Sequence, residues 1–116
     1  MNFQEAVSTV FSKYADFTGR AGRAEFWWFA LFNLIASVIL GLIDQAIFGQ
    51  EILGIIFALG VLLPGIAVAA RRLHDIGRSG WWLLIGLIPL IGWIVLLYWY
   101  ISEGTPGANQ YGPQPA

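Results

Sequence analysis

The chain has 116 residues, 58% of them hydrophobic and 11% charged, with a formal net charge of −1 and no cysteine. With a mean hydropathy of +0.69, it carries too little charge to cover a soluble domain and is long enough for one small domain only. The missing thiols exclude disulfides and thiolate metal sites, and the absence of basic excess argues against nucleic acid as a partner.

The first element is amphipathic. Between residues 2 and 17, Phe3, Val7, Val10, Tyr14 and Phe17 recur at helical spacing, while Asn2, Gln4, Glu5, Ser8, Thr9, Ser12, Lys13 and Asp16 fill the other faces. The pattern predicts a helix lying at a membrane surface or packed on the ends of membrane spans. The first residues lack the basic flank and apolar core of a signal peptide, so the segment that follows is expected to stay in the mature protein.

Thr18-Gly19 breaks this helix, and three runs follow that hold no Asp, Glu, Lys or Arg: Phe26–Ile43, Ile52–Ala70 and Trp81–Ile101. Runs of roughly 18 to 21 residues, rising about 1.5 Å each, match a hydrocarbon core of about 30 Å. The expected fold is therefore all-α: an integral membrane protein with three transmembrane helices, at about 24–44, 52–72 and 81–101, preceded by the interfacial helix. Residues 1–101 would form one membrane domain and 102–116 an extended Gly/Pro-rich tail. Pro64 in the second run predicts a kink whose freed carbonyl needs another partner. Asp44 ends the first run and reads as an interface residue. The spans contain no Gly-x-x-x-Gly pairing motif.

All six basic residues lie before the first run (Lys13, Arg20, Arg23) or between the second and third (Arg71, Arg72, Arg78). The positive-inside rule puts the N-terminus and that second loop in the cytoplasm and the C-terminus outside. Trp27, Trp28, Trp81 and Trp82 would then anchor the inner interface, and Tyr98, Trp99 and Tyr100 the outer one. Pro89-Leu90-Ile91-Gly92 allows a different path, in which the third run bends into a re-entrant hairpin and the tail returns to the cytoplasmic side.

Three motifs resemble a known family: Gly19-Arg20-x-x-Arg23-x-Glu25-Phe26-Trp27, Arg71-Arg72-Leu73-His74-Asp75-x-Gly77-x-Ser79-Gly80-Trp81-Trp82, and Gly104-x-x-Gly107-x-Asn109-x-Tyr111-Gly112-Pro113. Together they are similar to the bacterial family called domain of unknown function 805, the YhaH-like inner-membrane proteins, over residues 3–115. The resemblance implies a small protein of the bacterial inner membrane and carries over no reaction.

The candidate lipid or ligand site gathers Arg20, Arg23, Glu25, Arg71, Arg72, His74, Asp75 and Arg78. On a helix Asp75 sits within reach of both Arg71 and Arg72, and the remaining arginines would face lipid phosphates, which suit a guanidinium fork. Glu25 could pair with an arginine of the second loop. His74 stands alone, without a second His or a Cys to complete a zinc set, and adjacent residues such as His74 and Asp75 do not face each other on a helix. No nucleophile is marked out, so no catalytic residue, metal or cofactor is expected. The reading is a non-catalytic membrane protein whose basic, Trp-flanked surface binds anionic lipid head groups or a partner protein. The alternatives are a subunit of an oligomeric transporter or channel and an enzyme acting on lipid-linked phosphate.

Overall fold

The computed structural model describes residues 1–115. Four α-helices and one 3-10 helix appear in the order α1 (Phe3–Ser12), α2 (Arg23–Ile47), α3 (Leu53–Asp75), the 3-10 helix (Gly80–Leu87) and α4 (Ile91–Ile101).

α1 starts where the Asn2 side chain accepts the Glu5 backbone N–H at 2.8 Å, supplying an acceptor to a donor that has none within the helix. It stops at Ser12, short of Tyr14 and Phe17 in the expected stripe. Ala6 and Val10 are buried. Phe3 meets Trp28 edge-on at 5.9 Å, and Phe11 meets Phe29 edge-on at 5.6 Å. α1 is thus seated on the first turns of α2.

Among the described residues, α2 and α3 are the two helices long and apolar enough to cross a membrane; at 25 and 23 residues each runs on the order of 35 Å. Their side chains remain largely exposed through the middle, as at Leu34, Leu42, Ile56 and Leu59, which gives a lipid-facing belt in place of a soluble core. α3 continues through Pro64. The proline nitrogen has no hydrogen for the Gly60 carbonyl four residues earlier, and the Tyr14 hydroxyl donates to that carbonyl instead.

Asp44 is buried three residues before the end of α2, and its carboxylate accepts the N–H groups of Ile52, Leu53 and Gly54 at 3.2, 2.9 and 2.9 Å. A carboxylate at a helix start satisfies otherwise unpaired donors and complements the helix dipole. Asp44→Ala is expected to cost about 1–2 kcal/mol, read as a lower thermal midpoint of the detergent-solubilised protein, with Asp44→Asn closer to the parent. An unshifted midpoint for Asp44→Ala would show that the cap contributes nothing.

The third expected span is not formed. Residues 81–101 divide into the 8-residue 3-10 helix and the 11-residue α4. At about 2.0 Å and 1.5 Å per residue, each arm reaches roughly 16 Å, half a bilayer. Pro89 and Leu90 make the tip. Leu90 has φ +69° and ψ −66°, and the Ile91 N–H donates to the Pro89 carbonyl at 2.9 Å; this is a tight γ-turn in a rare conformation. Gly92 follows because a Cβ there would collide with the Ile85 carbonyl. The Trp93 indole N–H ties the arms together at the Gly86 carbonyl, 2.9 Å away. The run has the hydropathy of a span, but its backbone is turned back by Pro89 and Gly92.

Two further expectations change with it. Tyr98, Trp99 and Tyr100 do not mark an outer interface: the Trp27 indole donates to the Tyr100 carbonyl at 3.1 Å, and the Phe26 and Tyr100 rings lie 4.4 Å apart. The tail is likewise not on the side opposite the N-terminus. It returns to the end where α2 begins and α3 finishes. The main apolar cluster, Val10, Ala21, Phe29 and Val68, sits just beneath that end.

Candidate functional site

The polar end of the molecule is built around five buried charged side chains: Arg20, Glu25, Arg71, Arg72 and Asp75. Arg20 comes from the connection before α2, Glu25 from the first turn of α2, and the other three from the last turns of α3. The antiparallel pairing of α2 and α3 brings them to one level, and the Ala21 N–H donates to the Arg71 carbonyl at 3.0 Å.

Asp75 is the hub. Its Oδ1 accepts Arg20 Nε at 2.9 Å and its Oδ2 accepts Arg72 Nη1 at 2.7 Å. Arg20 reaches further into the tail. Its Nη1 donates to the carbonyls of Gly107 at 2.6 Å and Gly112 at 3.2 Å, and its Nη2 to those of Asp75 at 3.3 Å and Thr105 at 2.5 Å. All five guanidinium N–H donors therefore have an acceptor. Arg72 donates from Nε to the Tyr100 carbonyl at 3.1 Å, from Nη2 to that of Ser102, and more distantly from Nη1 to that of Ala21 at 3.5 Å. The tail is held in turn: the Thr105 N–H donates to the Asp75 carbonyl at 2.7 Å, and a side chain at Gly104 would overlap the Asp75 carboxylate.

A second pair lies beside this hub. Arg71 Nη1 donates to Glu25 Oε2, and its Nε to the Asp16 carbonyl at 3.2 Å. Its Nη2 is buried without a hydrogen-bond partner among the described residues. Asp16 itself sits outside the helices. Its carboxyl is held below the usual range, chiefly by the Thr18 hydroxyl at 2.6 Å, then by the Thr18 N–H at 2.9 Å.

His74 takes no part in either cluster. Its Nδ1 lies 2.9 Å from the Gly19 carbonyl, an acceptor, so the proton of the neutral ring sits on Nδ1 and leaves Nε2 as acceptor. Tyr111 of the tail stacks on the imidazole at 4.0 Å with a 4° interplanar angle, and Asn109 Nδ2 donates to the His74 carbonyl at 2.9 Å. His74, Asp75 and Glu25 do not converge: among the described residues no group of three His, Cys, Asp or Glu could hold a metal ion.

Of the eight side chains read as one site, six are therefore buried, and Arg20, Arg71 and Arg72 turn onto carboxylates and backbone carbonyls instead of outward to lipid phosphates. The physical reason is the returning tail, which covers the end and offers carbonyls where a loop would have offered water. Arg23 and Arg78 stay exposed. Arg23 makes one long contact to the Ile101 carbonyl, 3.5 Å. The Arg78 guanidinium lies 4.4 Å from the Trp99 ring and 5.8 Å from that of Trp82, a cation–π arrangement. Trp27, Trp28, Trp81 and Trp82 are exposed around the same end.

Sequence reasoning offered Asp75 to either Arg71 or Arg72, of which Arg72 takes it while Arg71 turns to Glu25, and offered Glu25 to the second-loop arginines. It missed Thr105, Gly107, Gly112, Asn109 and Tyr111. The Asn and Tyr of the tail could have signalled Asn109 and Tyr111, which act through their side chains, whereas Thr105, Gly107 and Gly112 act through backbone carbonyls.

Comparison with known proteins adds the following. A family model described as Protein of unknown function (DUF805) matches residues 14–113. The chain is 46% identical over 111 residues to Inner membrane protein YhaH of Escherichia coli strain K12, an alignment covering 91% of this chain and 92% of the relative. It is 46% identical over 109 residues to Inner membrane protein YhaI of the same strain, with 92% of each covered. It is 36% identical over 101 residues to Uncharacterized protein YiiR, covering 78% of this chain and 60% of that protein. No solved structure matches.

Proposed function

The chain belongs to the DUF805 family, and from that premise we propose a non-catalytic protein of the bacterial inner membrane whose cytoplasmic end engages anionic lipid head groups. All six basic residues lie in segments that meet at the polar end, whereas the α2–α3 turn at the other end carries Asp44 and Glu51 and no Lys or Arg. Under the positive-inside rule this favours a cytoplasmic polar end, with both the N-terminal segment and the tail on that side.

The observation that carries the reading is Arg78. It is exposed, lies over Trp99 and Trp82, and has no carboxylate partner among the described residues. Arg23 is also exposed with no carboxylate partner there. An arginine fixed at a tryptophan belt matches a lipid phosphate in charge, depth and fork geometry. The buried arginines serve the fold and leave these two for the lipid.

Attraction of about 1 kcal/mol per basic residue at an anionic leaflet corresponds to roughly a fivefold effect each. After gentle extraction, Arg23→Gln with Arg78→Gln is expected to lower the ratio of phosphatidylglycerol and cardiolipin to phosphatidylethanolamine retained by the protein at least fivefold. An unchanged ratio would remove the head-group reading.

A further inference from the structure

The re-entrant hairpin leaves a cleft against the two spans. One cavity of about 400 Å³ lies between α3 and the 3-10 arm, walled by Ile66, Ala70, Leu83 and Leu84, with His74 and Ser79 at its polar end. A second cavity of about 660 Å³ shares Ile66, Leu83 and Leu84 and continues to Phe57 and Asn33. The cleft therefore runs from the polar end toward the level of mid-α2, mostly apolar throughout, with Asn33 and Ser37 as polar points at its far end.

We propose that this cleft is a slot for one acyl chain of a membrane phospholipid, whose polar end is received by His74 and Ser79. The proposal rests on the membrane placement above and is independent of head-group charge. His74 is nine-tenths buried. Its Nδ1 is occupied by Gly19, while Nε2 makes no hydrogen bond among the described residues and the side chain lines the cavity. In the tautomer that donates from Nδ1 to the Gly19 carbonyl, Nε2 is an acceptor open to the cavity, placed to take an ammonium or hydroxyl proton of a head group. The Ser79 oxygen accepts the Trp81 N–H at 3.3 Å, which leaves its own O–H to donate to an ester or phosphate oxygen. Gly80 shapes the mouth: a Cβ there would come within 3.1 Å of Ala70 Cβ, so glycine lets the arm lie close on α3 at the entrance. The slot is mostly apolar along its length, with His74 and Ser79 at its interface end, which suits an acyl chain held below a head group, and the hydrocarbon around α2 and α3 supplies the occupant.

The test uses the full-length protein in vesicles of phosphatidylethanolamine and phosphatidylglycerol at about 3:1, a composition with the anionic lipid present but in the minority, followed by release into native mass spectrometry. One phospholipid per chain is expected to survive delipidation. Filling the slot by Ile66→Trp or Leu84→Trp should lower its occupancy at least fivefold, while Leu42→Trp, far from the cleft, leaves it unchanged. Native occupancy in both filled variants, or no retained lipid on the parent chain, overturns the proposal. Should the variants not accumulate, a benzophenone side chain at Leu84 in the parent background is expected to yield an adduct of phospholipid mass; an adduct with a second copy of the chain, or none with lipid, overturns it equally. In vesicles of phosphatidylethanolamine alone the slot remains occupied and the enrichment attributed to Arg23 and Arg78 has no ligand, so each reading fails separately.

Discussion

Asp75→Asn is expected to be the most damaging single polar exchange in the chain. Asp75 is 4% exposed and joins Arg20 and Arg72, which are 5% and 0% exposed. Removing its charge strands two guanidinium groups out of water. Breaking a buried pair typically costs about 3–5 kcal/mol, a large share of the roughly 5–15 kcal/mol that holds a domain together. The expected result is a strong fall in membrane accumulation, with chymotrypsin cutting the released tail after Tyr111 in whatever remains. Asp75→Glu does not restore the parent, because the carboxylate already fills the space over Gly104. Parent-like accumulation and a protease-resistant tail in Asp75→Asn would mean that the charges are solvated and the buried hub does not hold the end.

The second large effect is at Glu25 and Arg71. Glu25→Leu leaves Arg71, fully buried, with only the Asp16 carbonyl as acceptor, and is expected to destabilise by about 3 kcal/mol. Adding Arg71→Met should recover most of that loss, since a buried ion pair exchanged for well-packed apolar groups is often neutral. Arg71 is the better member to remove because its Nη2 already lacks a partner among the described residues. Thermal midpoints of the parent, both single variants and the double variant close the cycle. A double variant as unstable as the sum of its singles would show that the two side chains do not act on each other.

How much of this was legible in the sequence differs by element. α2 and α3 follow from apolar length alone. Helical spacing puts Asp75 within reach of both Arg71 and Arg72 without choosing between them, and contact between Glu25 and the second-loop arginines follows from the common level of their segments. The hairpin was legible as an alternative because Pro89 and Gly92 stand mid-run, but hydropathy cannot tell one continuous crossing from two half-crossings of the same composition. The partners of Arg20 were hidden for a different reason. Four of its five acceptors are backbone carbonyls, which every residue type carries, so no side chain in the tail signals them. The Tyr14 bond to Gly60 is concealed in the same way. Loop arginines are ordinarily solvated; here a covering segment some 85 residues downstream decides otherwise.

That separation bears on biogenesis. Arg20 precedes the first crossing, yet the carbonyls that saturate it belong to Thr105, Gly107 and Gly112, which are synthesised 85 to 92 residues later. A nascent chain therefore carries both long helices while its cations are still uncovered, and the end locks only once this downstream segment has emerged. The direction of synthesis thereby sets the order in which the polypeptide can settle.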